Sequence, residues 1–282
     1  MSDDNSAQIE FWNGEHGESW ARYAAIVDRM FVELTDAVLN TAEIRPGDRI
    51  LDIGCGSGGL AMAAAQRTTP IGSVAAIDVS GPMLDRAQDR ADEAGLVNVV
   101  FVLGDASIYP FAETSFDAAI SRLGVMFFDA PEEAFRRIAG SFSAGARIAF
   151  AVWREPRENP WAMEPVSAAR PFIDMPPRPG PEDPGPFSFA NPDRVRRILE
   201  GAGLEHVALA PFDFRIPLGR DLDEALAFAM EMGPLSKPLG EVTGANRDKA
   251  IAAIRDVLSA HRDDDGTVRL DGACWIVTAR AP

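Results

Sequence analysis

The residues best placed to do chemistry are three aspartates, each following an apolar run. Asp52 stands two positions before the turn Gly54-Cys55-Gly56-Ser57-Gly58-Gly59, Asp78 closes the next run, and Asp105 sits in Gly104-Asp105-Ala106 after a third. The run Arg49–Ile53 reads as a strand, and the alanine-rich stretch Leu60–Gln66 behind the glycines reads as a helix. Strand, glycine turn and helix together aim backbone N–H groups and a helix N-terminus at a nucleotide-like ligand. Gly54, Gly56 and Gly59 satisfy G-x-G-x-x-G, the dinucleotide fingerprint. Asp52 argues against a pyrophosphate on that turn, because the two anions would repel. It favours a ligand that brings an ammonium group close by. A tight turn with a capping aspartate and no ligand is the other reading.

Taken as Asp52 followed by Gly54, Gly56 and Gly58, the stretch resembles the first motif of the class I S-adenosylmethionine-dependent methyltransferases. That cofactor has an amino-acid end and a sulfonium and no phosphate. The resemblance covers residues 45–153 and is nearest to the ubiquinone/menaquinone-biosynthesis C-methyltransferase branch and its relatives acting on small molecules. It implies a cofactor site of Asp52, Gly54, Cys55, Gly56 and Gly58, with Asp78 on the ribose and Val79 and Met83 along the adenine. Gly104, Asp105 and Ala106 are implied at the adenine amino edge, and Arg122 beside the cofactor carboxylate or an anionic substrate.

The residues alone leave alternatives. A carboxylate at Asp78 would serve the ribose of NAD equally well, Asp105 would cap the turn Ser107–Tyr109, and Arg122 would pair with Asp117 or Asp129. The Asn/Asp-Pro-Pro-aromatic tetrad of DNA amino-methylation is absent; the position reads Ser121-Arg122-Leu123-Gly124. The resulting expectation is methyl transfer from S-adenosylmethionine, leaving S-adenosylhomocysteine, to a small apolar or aromatic acceptor. A nicotinamide-dependent oxidoreductase and a non-catalytic S-adenosylmethionine-binding regulator are the alternatives.

No general base stands out. His16, Tyr23, Glu155 and Glu158 are candidates, with a lone surface histidine as the other reading of His16, and Arg122 joins them as a weak catalytic candidate. Trp20, Tyr23, Met126, Phe127, Trp153 and Trp161 supply apolar walls for an acceptor pocket or, equally, ordinary core. Cys55 and Cys274 have no partner at metal-ligand spacing, so no metal site is expected.

These residues need a scaffold that brings strand ends together. Strands at Arg49–Ile53, Ser73–Asp78, Val97–Leu103, Phe116–Ser121 and Arg147–Trp153 alternate with helical patterns, which predicts a parallel, doubly wound α/β sheet. Strands at Val207–Ile216 and Asp271–Ala279, the latter antiparallel, complete a Rossmann-like, mostly parallel seven-stranded sheet with helices on both faces and a helical or irregular lid. Ligands in such sheets sit beyond the carboxyl ends of the strands, where every aspartate named above falls. The expected division is an N-terminal helical cover (1–44, with 1–8 disordered and one or two helices over Phe11–Asn40) and a cofactor-binding core (45–153). A proline-rich cap (154–190), continued core (191–216), a helical lid (217–270) and a closing strand (271–282) follow.

Composition narrows the partners. The chain has 282 residues, of which 46% are hydrophobic and 25% charged, and its net charge is −16. A phosphate backbone would be repelled over most of such a surface, so a small-molecule substrate is expected and nucleic acid is not. The polar start and the lack of a long apolar stretch predict a cytoplasmic protein without membrane contact, monomeric or homodimeric.

Overall fold

The computed structural model describes residues 5–177 and 179–282. Four short helices open it: α1 (Ser6–Asn13), α2 (Glu15–Arg22), α3 (Ala24–Met30) and α4 (Val32–Thr41). Of the stretch expected to be disordered, 1–4 lie outside the described residues, whereas the chain is already helical at Ser6. The expected one or two helices are broken three times, at extended Gly14, at Tyr23 and at Phe31. The breaks let successive aromatic and aliphatic faces turn onto the core, where Met30, Phe31 and Leu34 are buried.

The core alternates strand and helix: β1 (Arg49–Ile53), α5 (Gly59–Thr68), β2 (Ser73–Asp78), α6 (Gly81–Glu93), β3 (Val99–Leu103), β4 (Phe116–Arg122), α7 (Pro131–Ala139) and β5 (Phe142–Trp153). After the cap helix α8 (Pro160–Ala169) come α9 (Pro192–Gly201), β6 (Glu205–Gly219), α10 (Leu222–Glu231), α11 (Ser236–Glu241), α12 (Gly244–Ala260) and β7 (Val268–Arg280). One seven-stranded sheet results, in the order β3-β2-β1-β4-β5-β7-β6. The first five strands in that order are mutually parallel, and β7 runs antiparallel to both neighbours. Strand β1 lies at the centre, so four of its five residues are buried, and these are apolar except for Asp52. Strand β3 starts two residues later than the sequence suggested, because Val97, 95% exposed, lies outside the ladder.

Local chemistry explains the element ends. Asn191 caps α9 by accepting from the Asp193 and Arg194 N–H groups at 2.9 and 3.2 Å, with Pro192 opening the helix. Asp221 caps α10 through the Glu224 N–H at 2.8 Å. The Glu224 carboxylate does not return the bond. It goes to Arg220 and Arg29 instead, so no reciprocal capping box forms.

The cap is tied to the sheet from below. Buried Asn159 accepts from the Ala273 N–H at 2.9 Å and donates to the Ala273, Glu155 and Arg154 carbonyls. Helix α8 packs on β7 and α12, and His261 Nε2 meets Glu164 at 2.6 Å. The other end of the cap enters the core through Phe189, which sits with Phe135 of α7 and Phe150 of β5; Phe135 and Phe150 stack with centroids 5.6 Å apart. All three rings are fully buried, so Phe135→Ala should cost ~3–5 kcal/mol. Chemical denaturation checks this, and a loss below about 1 kcal/mol would show that the three rings are not the shared core of cap and sheet.

Candidate functional site

The turn after β1 is built from glycines that no other residue replaces cheaply. Gly54, Gly56 and Gly58 have φ of +67°, +53° and +81°, in the left-handed region where a Cβ is strained. A Cβ on Gly54 would also lie 2.8 Å from the Gly124 Cα, so β1 and β4 end in touching glycines. Asp78 ties this turn to the next strand end. Its Oδ2 accepts from the Gly56 N–H at 2.7 Å and its Oδ1 from the Ser80 N–H at 2.9 Å. Each oxygen keeps a further lone pair. Burial holds the Asp78 carboxyl above its ordinary range, against the pull of those N–H groups.

Asp52 is the anomaly. It is 0% exposed, and neither carboxyl oxygen has a hydrogen-bond partner among the described residues. Burial pushes its pKa up to about 8. The charge of Arg122 opposes this, Asp78 adds to it, and the Ala61 N–H at the start of α5 opposes it weakly. Ser57 Oγ, on the glycine turn itself, is also buried and unpartnered. Buried polar groups without partners are costly, and here they cluster where a polar ligand would satisfy them. An ammonium suits Asp52 best, since it would stabilise the ionised carboxylate that burial disfavours. Burial pushes the neighbouring Cys55 thiol well up, so it is no nucleophile.

The other implied cofactor residues line the same rim. Asp105, 8% exposed, accepts from the Ser107 N–H at 2.8 Å and so caps the turn that follows. Tyr109 packs against Gly104, and Ala106 is buried. The Val79 carbonyl accepts from Asn13 Nδ2 at 2.8 Å, Asn13 Oδ1 accepts from the Gly81 N–H at 3.0 Å, and Ser80 Oγ donates to the Trp12 carbonyl at 2.6 Å. The first cover helix therefore clamps the loop after β2. The Met83 Cε lies over Gly56, 2.7 Å from where its Cβ would be.

Arg122 pairs with neither Asp117 nor Asp129. Arg49 takes Asp117 through two nitrogens at 3.0 and 2.8 Å, holding that carboxyl down to about 2. Arg122 turns instead to the N-terminal cover, donating to Thr35 Oγ at 2.7 Å and Asp28 Oδ1 at 3.2 Å, its guanidinium 5.7 Å from the Phe31 ring centroid. Asp28 pairs also with Arg90 of α6, which donates to the Ser57 carbonyl. Sequence reading missed Asp28, Thr35 and Arg90. The available signal was that Asp28 and Thr35, seven apart, interrupt the otherwise apolar face of Val27, Phe31 and Leu34.

The suggested bases are already engaged. His16 is no lone surface residue. It sits between the Phe11 and Trp12 rings with centroids at 4.3 and 5.0 Å, and its Nε2 accepts from Trp20 Nε1 at 3.0 Å. Burial holds its pKa down to about 4. Burial and the Glu231 carboxylate push the Tyr23 phenol up. Glu155 and Glu158 cap the short turn before α8, and Glu158 pairs with Arg154. Of the expected pocket walls, Phe127 edges onto Trp12 at 5.3 Å, while Met126 is buried in the core. Trp153 is buried too, stacked parallel to Phe214 and 4.9 Å from Trp161. Among the described residues, no group of His, Cys, Asp and Glu is arranged to hold a metal, and no helix is long and apolar enough to cross a membrane.

Comparison with known proteins agrees with this geometry. Residues 50–145 match the family described as methyltransferase domain. Over 140 residues the chain is 34% identical to an uncharacterized protein of Mycobacterium tuberculosis, covering 49% of this chain and 50% of that one. Over 133 residues it is 32% identical to the aklanonic acid methyltransferase DauC of a Streptomyces species, covering 47% and 60%. The chain thus spans about half the length of the first of these relatives. In fold it is similar to phosphoethanolamine N-methyltransferase 2 of Haemonchus contortus, solved with S-adenosylhomocysteine, with TM-score 0.59 at 19% identity, covering 96% of this chain and 58% of that one. Residues 50–145 thus match a methyltransferase domain in sequence, and the sheet order and glycine turn fit that match.

The raised Asp52 pKa has a measurable sign. In the folded protein the carboxyl keeps its proton to about 8, while in the unfolded chain it loses it near the ordinary value of 3.8. The folded state then binds more protons, so stability falls as pH rises between those values. Asp52→Asn cannot ionise. In thermal melts of the ligand-free protein it should therefore gain on wild type progressively from about pH 4 to 8 and level off above. A difference independent of pH would mean that Asp52 is not held protonated.

Proposed function

We propose that this chain is a methyltransferase that uses S-adenosylmethionine to methylate a small, apolar or aromatic metabolite. The observation that carries the reading is the fully buried, unpartnered Asp52 carboxyl beside a glycine turn with an orphaned Ser57 hydroxyl. Such a site suits a ligand with an ammonium and no phosphate. Asp78 would hold the ribose through its remaining lone pairs, Val79 and Met83 would flank the adenine, and Asp105 would accept from its amino group. The cofactor supplies a methyl group already activated on a sulfonium.

What the protein adds is positioning and the exclusion of water. The cover clamps the rim, and Trp153, Trp161, Phe31 and Phe214 form an aromatic wall next to Arg122. No side chain on the rim is poised as a strong base. Such a site suits an electron-rich carbon or an already acidic hydroxyl better than an acceptor that must be deprotonated first. The name of the Streptomyces relative, an aklanonic acid methyltransferase, supports a small organic acceptor. The net charge of −16 supports one over nucleic acid. We place this activity in the cytoplasm.

Titration calorimetry tests the reading. S-adenosylmethionine and S-adenosylhomocysteine should bind with micromolar affinity and NADH should not, and Asp78→Ala should weaken both by about tenfold or more. Tight NADH binding with no response to S-adenosylhomocysteine would replace this reading by an oxidoreductase.

A further inference from the structure

Asp28 is an acidic side chain of the cover that reaches into the cofactor rim. One carboxylate oxygen pairs with Arg90 and the other with Arg122, whose guanidiniums are both largely buried. The same carboxylate lies against Gly59, so closely that a Cβ there would collide with it. Gly59 is the first residue of α5, a ten-residue helix whose start has no side-chain cap. The exposed N–H groups of a helix N-terminus favour an anion, and two arginines reinforce that preference. A second, independent feature marks the spot as a ligand position. The unpartnered Asp52, wholly buried, feels the charge of Arg122 and the N–H of Ala61 in the first turn of α5. An unsatisfied carboxyl and a satisfied anion site therefore lie side by side, matching the ammonium and the carboxylate of an α-amino acid.

We propose that Asp28 is an internal stand-in for the carboxylate of the cofactor's amino-acid end, held between Arg90 and Arg122 until the cofactor displaces it. This rests on the S-adenosylmethionine reading above. Two carboxylates cannot share one pair of guanidiniums at the start of one helix without strong repulsion. Entry of the ligand's carboxylate therefore breaks the contacts that hold α3 down, and the cover is released as the amino-acid end binds. Ligands that carry the nucleoside but lack the amino-acid end leave Asp28 in place. Binding of the amino-acid end is thereby coupled to cover motion, and part of its binding free energy goes into releasing the cover.

The test compares S-adenosylhomocysteine with methylthioadenosine, which lacks the carboxylate and the ammonium, on wild type and Asp28→Asn. The variant should bind S-adenosylhomocysteine about tenfold tighter and methylthioadenosine unchanged. In the wild type, hydrogen exchange of the α3 amides should accelerate on adding S-adenosylhomocysteine and not on adding methylthioadenosine, a readout that stands even if the variant fails to fold. Weaker or unchanged S-adenosylhomocysteine binding by Asp28→Asn would overturn the proposal, since Asp28 would then be a ligand contact or a bystander. Unchanged or slowed α3 exchange would overturn it equally. If wild type binds neither compound, the cofactor reading itself fails and takes this inference with it.

Discussion

The structure depends on one unfavourable burial. Asp52 is a carboxyl in the central strand of the sheet, wholly removed from water and without a hydrogen-bond partner among the described residues. A buried carboxyl of this kind is neutral or awaits a cation. Nothing in the packing of β1 requires it, since its other buried residues, Ile50, Leu51 and Ile53, are all apolar. Its retention at the carboxyl end of β1, next to glycines that clear the space beyond, makes sense as function rather than as fold. Asp78 is handled differently. Its two backbone N–H partners make it both a brace for the turn and an acceptor with capacity left.

Around this centre the N-terminal helices pack directly onto the candidate site. Helices α1 to α4 contribute Trp12 and Asn13 to the loop after β2, and Asp28 and Thr35 to Arg122. The ion pairs of Asp28 are more protected than most on this protein, because both arginines are shielded from solvent. Exposed pairs such as Arg22–Glu231 contribute little by comparison. Charge inside the cover thus does what apolar packing alone would not, giving it a preferred register over the glycine turn.

Much of this was legible in the sequence, for identifiable reasons. The parallel strands announced themselves as apolar runs ending in Asp52, Asp78 and Asp105. Glycine, with its left-handed φ, marked the turn that no other residue makes cheaply. What escaped was long-range pairing. Arg122 had nearer acids in Asp117 and Asp129, yet Asp117 lies beside Arg49 across the sheet and is spent there. Its actual partner Asp28 lies 94 positions away, and no local rule connects them. The state of His16 was hidden for the same reason, because its burial is made by Phe11, Trp12 and Trp20, side chains that only the broken helical path brings together.

The central claim, that Asp52 is kept protonated for a cationic ligand, is tested most directly by counting protons. Calorimetric binding of S-adenosylhomocysteine at pH 7, repeated in buffers of different ionisation enthalpy, reports the protons exchanged per ligand. With a carboxyl at about 8 in the free protein, binding of the ammonium should ionise Asp52 and release close to one proton. Binding heats independent of the buffer would mean that Asp52 does not change charge, and would contradict the account.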